Sequence, residues 1–444
     1  MTEFLNRRAF LARSAVLGCS LAASPLLTPV SFAAAPWDNR LVVIILRGAM
    51  DGLDVVRPYG DRDFAGHRPG ALRGLGDGPD GAQDLDGFFA LHPALSPLLP
   101  LWARGQVGFV HAVSTPYRDK RSHFDGQDLL EAGTVDMAAG AGRDGWLNRM
   151  LQHVPGVEAE TAYAIGHDEM LLMKGRAQVA DWSPDVGLRL SPQAVRLAEM
   201  VMHDDPLFRD AFAEAMLLSG TDAQGGMAAE PMQMQDMMPA ATDMSAMTPM
   251  TGGDMQGGGM DAATTAGHTP AEIARAKGNQ PHHKIAAFAG KKLRGDTRIA
   301  SFSLNGWDTH QGQDRSMDQA LGRLSDTILT LRDSMGGPAW GKTTIVAMTE
   351  FGRTARWNGS GGTDHGTAGA MLLAGGALKG GRVLGDWPGL AEADLYARRD
   401  LMPTRDVRAH AAWLMRGLFG LDQALLERAI FPGLDMGGNP GLLL

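Results

Sequence analysis

Cysteine is all but missing: Cys19 is the only one in 444 residues. It lies in an N-terminal stretch that reads as a removable leader. The chain beyond that stretch therefore has no disulfide, no thiol nucleophile and no thiolate metal site. A clustered basic surface is also missing. The formal net charge is −9 and no Lys/Arg run occurs, which argues against a nucleic-acid partner, because neutralising phosphates needs concentrated positive charge. No apolar run is long enough to span a bilayer. Near the N-terminus Arg13, Ser14, Ser20, Ser24, Pro25 and Pro29 interrupt the sequence well short of the ~20 apolar residues required, so no stable membrane insertion is expected.

What is present fits a globular chain with a sizeable core, at 44% hydrophobic and 20% charged residues. The first 35 residues pair Arg7 with Arg8, continue through Phe10 and Leu11 into a weakly apolar stretch, and end in Ala33, Ala34 and Ala35. Twin arginines ahead of such a core read as a twin-arginine export signal. Engagement with the export machinery and a periplasmic or secreted location are the expectations. The domain expected to follow, residues 36–444, is interrupted at 221–267 by a segment rich in Gly, Ala, Thr and Pro, with no aromatic residue and ten methionines between Met227 and Met260. It has too little apolar area to offset its ordering entropy, so a disordered insertion is expected. Thioethers also suit Cu(I), which gives copper capture as a second reading.

Short apolar runs alternate with amphipathic ones. "NRLVVIILRG" (39–48) has the pattern of a strand buried on both faces, "HPALSPLLPLWARG" reads as helical, and "QVGFVHAV" as the next strand. Further strands are expected at 161–166, 297–304, 343–349 and 370–376. Met317, Leu321, Leu324, Ile328, Leu331 and Met335 form one helical stripe that Gly336 and Gly337 can end. Other helices are expected from Ser191 and Pro192 to about Leu218, from the capping box at Thr269, Pro270 and Glu272 to about Lys292, and from Thr404 to Leu418. This alternation implies an α/β fold with a mainly parallel central sheet flanked by helices.

Ligands of open α/β sheets bind beyond the carboxyl ends of the strands, so the residues after each strand carry the functional reading. Asp51 and Asp54 follow the first strand, Asp308 and His310 the strand at 297–304, and Glu350 ends the strand at 343–349. Arg353 comes next, and a Gly-rich loop then delivers Asp364 and His365. Acids and imidazoles at three strand ends suit a hard or borderline divalent metal. Asp54 is read as a cap or turn residue, whereas Asp51 is read as a ligand. Ser122 stands where it can cap a helix beginning at His123, and a helix N-terminus beside a metal would favour an alkoxide there. His123 then serves as acid, base or ligand. Arg353, with Lys120 or Arg121, is positioned in sequence to bind an oxyanion. His410, on the apolar side of the last helix with Val407 and Leu414, reads as a core histidine.

The twin-arginine leader, "LRGAMDGLDVVRPYGD", "RSHFDGQDLLEAG", "GWDTHQGQ" and "TEFGRTARWNGSGGTDHGTAGAMLLAGG" together resemble the uncharacterised bacterial family known as domain of unknown function 1501. That family is similar to the alkaline phosphatase and sulfatase superfamily. The resemblance implies an alkaline-phosphatase-like scaffold, Asp and His ligands for one or two ions (Zn, Mn or Mg), and a hydroxyl nucleophile at a helix start. Carried onto this chain, Asp51, Asp308 and His310 match the acid and histidine positions, although the superfamily spaces the last pair four apart and here it is two. Glu350 with His365, or alternatively Asp364 with His365, completes the set. Ser122 is the matching nucleophile, with Ser114 of "STPYR" as a rival that echoes the serine form of the sulfatase signature, and water as a third option. The expected activity is hydrolysis of phosphate or sulfate esters in a small molecule or polymer. The alternative is a non-catalytic, metal-stabilised binding or assembly protein.

Overall fold

The computed structural model describes residues 37–72, 74–76, 81–118, 120–137, 144–166, 170–184 and 280–444. The leader with Cys19, the helix expected at 191–218, the capping box at 269–272 and the Met-rich segment 221–267 lie outside the described residues. The rest forms a compact unit that runs to Trp182 and resumes at Pro281.

The run expected to be a doubly buried strand is β1, Arg40–Arg47, with seven of its eight residues buried. Alternate side chains of a strand point to opposite faces, and β1 follows that rule. Val42, Ile44 and Leu46 pack in one apolar cluster with residues of α3 (Pro281–Arg294) and α4 (Gln313–Trp340). Leu41, Val43 and Ile45 pack in another with α2 (Trp146–Gln152) and α5 (Val407–Phe419). A strand that is apolar on both faces therefore needs helices on both faces. β1 pairs in parallel with β8 (Ile299–Asn305) on one side and β9 (Thr343–Met348) on the other.

Beyond β8 lie β6 (Ala162–Ile165) and β7 (Ala180–Trp182), both parallel. Beyond β9 lies β10 (Gly369–Ala374), which runs antiparallel to β9 and to β5 (Val107–Ser114). The short strands β11 (Val383–Leu384) and β12 (Arg405–Asp406) pair in parallel with β5. The sheet is thus mainly parallel. The strand expected at 370–376 is the one that reverses, because it returns directly from the Gly-rich loop after β9 without a crossover helix. A small antiparallel sheet of β2 (Val56–Arg57), β3 (Gln83–Asp84) and β4 (Ala90–Leu91) stands beside it.

Helices follow the sequence signals with two departures. α4 breaks at Gly336 (φ 76°, ψ 166°), where the apolar stripe was expected to end. The stretch read as one helix at 92–105 is instead a 3-10 segment, Pro93–Leu98, followed by a single α-turn, Leu99–Trp102. Pro97 and Pro100 remove backbone donors there and prevent a regular ladder. Among the described residues no helix is long and apolar enough to cross a membrane.

His410 is buried on α5, and neither ring nitrogen has a hydrogen-bond partner. Burial, with the Arg405 charge nearby, pushes its pKa from 6.5 down to about 3. Above pH 6.5 the ring is neutral in both folded and unfolded chains. As pH falls below that value the unfolded chain takes up a proton that the folded chain refuses, so stability drops by about 1.4 kcal/mol per pH unit for this group. His410→Leu is expected to flatten the pH dependence of urea unfolding between pH 6 and 4 by that slope, leaving the high-pH plateau little changed.

Candidate metal centre

The centre is assembled at the carboxyl ends of β1, β8 and β9, with α1 (His123–Ala132) laid across them. Ser122 is the N-cap of α1: its side chain accepts from the Asp125 amide at 3.4 Å. The cap starts the helix at His123 and turns that imidazole toward the strand ends. Gly48, just after β1, has φ +120°, and a Cβ there would come within 2.5 Å of the Asp308 amide. Glycine therefore permits the loops after β1 and β8 to touch.

Asp308 Oδ1 is the focus. It lies 3.1 Å from His310 Nε2, 3.4 Å from His123 Nε2 and 3.5 Å from His365 Nε2. Two ligands at about 2.0–2.1 Å from a tetrahedral zinc ion stand ~3.3–3.4 Å apart, so these separations are compatible with donors sharing an ion. Ligand atoms of His123, Asp308 and His365 all fall within 4.8 Å of one another. The far side of each ring has its own acceptor. His123 Nδ1 meets Glu350 Oε1 at 2.8 Å, His365 Nδ1 meets the Arg121 carbonyl at 2.9 Å, and His310 Nδ1 is 3.4 Å from Asp364 Oδ1. Metal-binding histidines carry this arrangement, because an acceptor at one nitrogen fixes the tautomer that turns the other lone pair inward.

Two features of the inward side are compatible with a cation. His123 Nε2 is buried and makes no hydrogen bond. His310 Nε2 and His365 Nε2 are 2.9 Å apart, a separation met either by an N–H···N hydrogen bond between opposite tautomers or by a shared ion. Three carboxylates, Asp308, Glu350 and Asp364, surround the rings; Arg353 pairs with Asp308, and the Arg399 charge acts on Asp364. The hydrogen bond that His123 donates to Glu350 raises the His123 pKa against the opposing effect of burial, whereas burial lowers that of His365. Burial alone would raise the Asp308 carboxyl, but the hydrogen bond and charge of Arg353, joined by His123 and His310, outweigh it and hold the pKa below the usual range. The Asp308 side chain is 48% exposed, so the centre is open to solvent on one side.

Glu350 and Arg353 work from behind. Glu350 is fully buried; Oε1 accepts from the Gly48 amide, His123 and Gln127, and Oε2 from Thr349. Those donors, His123 first among them, overcome the burial penalty and hold its pKa low. Its role is to anchor His123 rather than to meet an ion. Arg353 donates to the carbonyls of Gly48, Ala49, Trp307 and Thr363 and to Asp308 Oδ1. It ties three loops together and orients Asp308, so its guanidinium is not turned toward an incoming oxyanion. The Ser122 hydroxyl is engaged as the cap of α1, and among the described residues Ser114 Oγ, buried at the end of β5, has no hydrogen-bond partner.

Asp51 stands apart from the cluster. It is the N-cap of the one-turn helix Gly52–Val55, the role the sequence had assigned to Asp54. Its two oxygens pair with Arg68 at 2.6 and 3.1 Å, and Gln313 Nε2 donates to Oδ2 at 2.6 Å. Asp54 in turn binds Arg57. The structure thus gathers His123, Asp308, His310 and His365, sets Glu350 and Asp364 behind them, and leaves Asp51 in a separate buried ion pair. Gln127 and Gln313 were not foreseen. The former falls one turn after His123 on α1, and that helical spacing was the available signal.

The Gly-rich loop is tight for a reason. A Cβ on Gly362 would overlap the backbone of Thr309 and His310. Gly362→Ala is expected to push the Asp364–His365 segment away from His310, weakening zinc binding at least about tenfold at a stability cost of about 1–3 kcal/mol. Competition against a chromophoric chelator, with urea unfolding alongside, measures both.

No curated protein and no solved structure matches this chain. Residues 102–427 match the family model described as "Protein of unknown function (DUF1501)". That span covers well over half of the 444 residues, and the chain belongs to this family.

Proposed function

We propose that the cluster holds one divalent transition ion and that the protein is an exported hydrolase of phosphate or sulfate esters, built on a scaffold like that of alkaline phosphatase. The observation that carries the reading is the convergence of three imidazoles on Asp308, with the buried Nε2 of His123, which makes no hydrogen bond among the described residues, 3.4 Å from its carboxylate. Imidazole-rich donors favour zinc over manganese and magnesium, which suit oxygen ligands and, for magnesium, retained water. With Asp51 paired to Arg68, the donors support one ion at this centre rather than two. Such an ion supplies Lewis acidity toward an ester oxygen.

The chain's own groups divide the remaining work. Glu350, the Arg121 carbonyl and Asp364 fix the three rings, and Arg353 fixes Asp308. Ser122 is committed as a cap and Ser114 is buried, so water from the open side is the nucleophile in this reading. The hollow beside α1, about 620 Å³, mixes Arg118 and Lys120 with Asp125 and Asp128, so its charge does not by itself select an anionic ester. That mixture, together with the engagement of Ser122 and Arg353, favours a second reading in which the metal is structural and the protein binds a partner without turnover.

Assays on generic phosphate mono- and diesters and on sulfate esters, with zinc- and manganese-loaded protein, separate the two. Turnover that is abolished by chelation and by His365→Ala supports the hydrolase. Bound metal without turnover on any of these esters supports the binding protein.

A further inference from the structure

We propose a second metal site, formed by His282, His283 and Asp326 on the seam between α3 and α4, that takes a borderline divalent ion such as zinc(II) or copper(II). It shares no residue with the centre on Asp308, and Asp326 lies thirteen residues along α4 from the helix start at Gln313, about 20 Å at 1.5 Å per residue.

His282 is only 6% exposed, and its buried Nε2 has no hydrogen-bond partner among the described residues. The Nε2 of His283 is likewise buried and unpartnered. An isolated buried ring nitrogen is costly and uncommon; here two occur on adjacent residues and converge on one carboxylate. Ligand atoms of His282, His283 and Asp326 lie within 4.8 Å of one another, and His283 Nε2 is 3.8 Å from Asp326 Oδ2.

The outer arrangement is also in place. His283 Nδ1 is 3.0 Å from Thr330 Oγ1, and Thr330 is one helical turn beyond Asp326 on α4, so one face of that helix supplies both the ligand and the group that orients the ring. The neighbouring Arg323 donates to the Asn305 carbonyl at 3.2 Å, which directs its guanidinium to the end of β8.

Two imidazoles and a carboxylate match zinc and copper rather than calcium or magnesium. With the Asp326 side chain 38% exposed, water completes the coordination. Because the ligands come from two helices, an ion bound there clamps α3 to α4 and stabilises the folded chain by linkage.

Zinc(II) is the probe of choice, since methionine thioethers prefer Cu(I) and compete poorly for it. Full-length protein stripped of metal is titrated with zinc and its stoichiometry read by elemental analysis after dialysis. His282→Gln/His283→Gln is expected to hold one equivalent fewer than wild type, and to lose the rise in Tm that zinc produces in an Asp308→Ala background. Unchanged stoichiometry in the double variant overturns the site, whatever happens at Asp308. If circular dichroism shows that variant unfolded, the half-exposed Asp326→Asn serves instead: zinc affinity at this site lowered at least tenfold supports the proposal, and unchanged affinity overturns it. Failure of the Asp308 centre alone would show as loss of the other equivalent, with this one retained.

Discussion

Asp308→Ala is expected to abolish metal retention at the main centre while leaving the fold intact. The carboxylate is the point on which three imidazoles converge, at 3.1, 3.4 and 3.5 Å, so its removal takes away both a ligand and the negative charge that balances an ion. Loss of a partner behind a ligand usually costs 10–100-fold in affinity; loss of this ligand should exceed about 100-fold on the same scale. Stability should suffer little, because the side chain is half-exposed and its main partner, Arg353, keeps four carbonyl acceptors. Zinc affinity by chelator competition and unfolding by urea are the paired readouts. Glu350→Gln should give the intermediate result, a roughly 10–100-fold loss, because it removes only the charge behind His123.

Asp51→Ala is expected to do the reverse. Asp51 and Arg68 are both buried and joined by two hydrogen bonds. Removing one member leaves a guanidinium without its counter-charge, at a cost of about 3–5 kcal/mol. The Ala355 and Thr354 carbonyls still accept from Arg68 but cannot neutralise it. The Asp51→Ala/Arg68→Met double substitution should recover much of the loss, since a well-packed apolar pair often equals a buried ion pair. Metal stoichiometry should not change in either variant. A lost equivalent at unchanged stability would restore Asp51 to the ligand set that its place after β1 had implied.

The contrast between these two aspartates shows what the sequence could tell. Both follow a strand, and the strands were legible because continuous apolar runs bounded by glycine admit few other structures. The stripe from Met317 to Met335 and the capped start of α1 at Ser122 were legible for similar local reasons. Which carboxylate meets an ion depends on partners far away in the chain. Asp51 is satisfied by Arg68, 17 residues later, and no periodicity advertises that pairing. Glu350 reads as a strand-end ligand until His123, 227 residues distant, is found against it. Arg353 looks like an anion receptor in sequence, but its acceptors are mostly backbone carbonyls, which carry no sequence signature. His282 and His283 were overlooked because two adjacent histidines on a helix gain meaning only when a second helix brings Asp326 to them.

Three histidines and Asp308 are proposed to bind one ion. X-ray absorption at the zinc edge, on protein loaded with one equivalent in the His282→Gln/His283→Gln background, reads that shell. A shell of nitrogen and oxygen donors at about 2.0–2.1 Å with the multiple-scattering signature of three imidazoles, one of which disappears in His123→Ala, is expected. An all-oxygen shell, or a spectrum that His123→Ala leaves unchanged, would rule the site out.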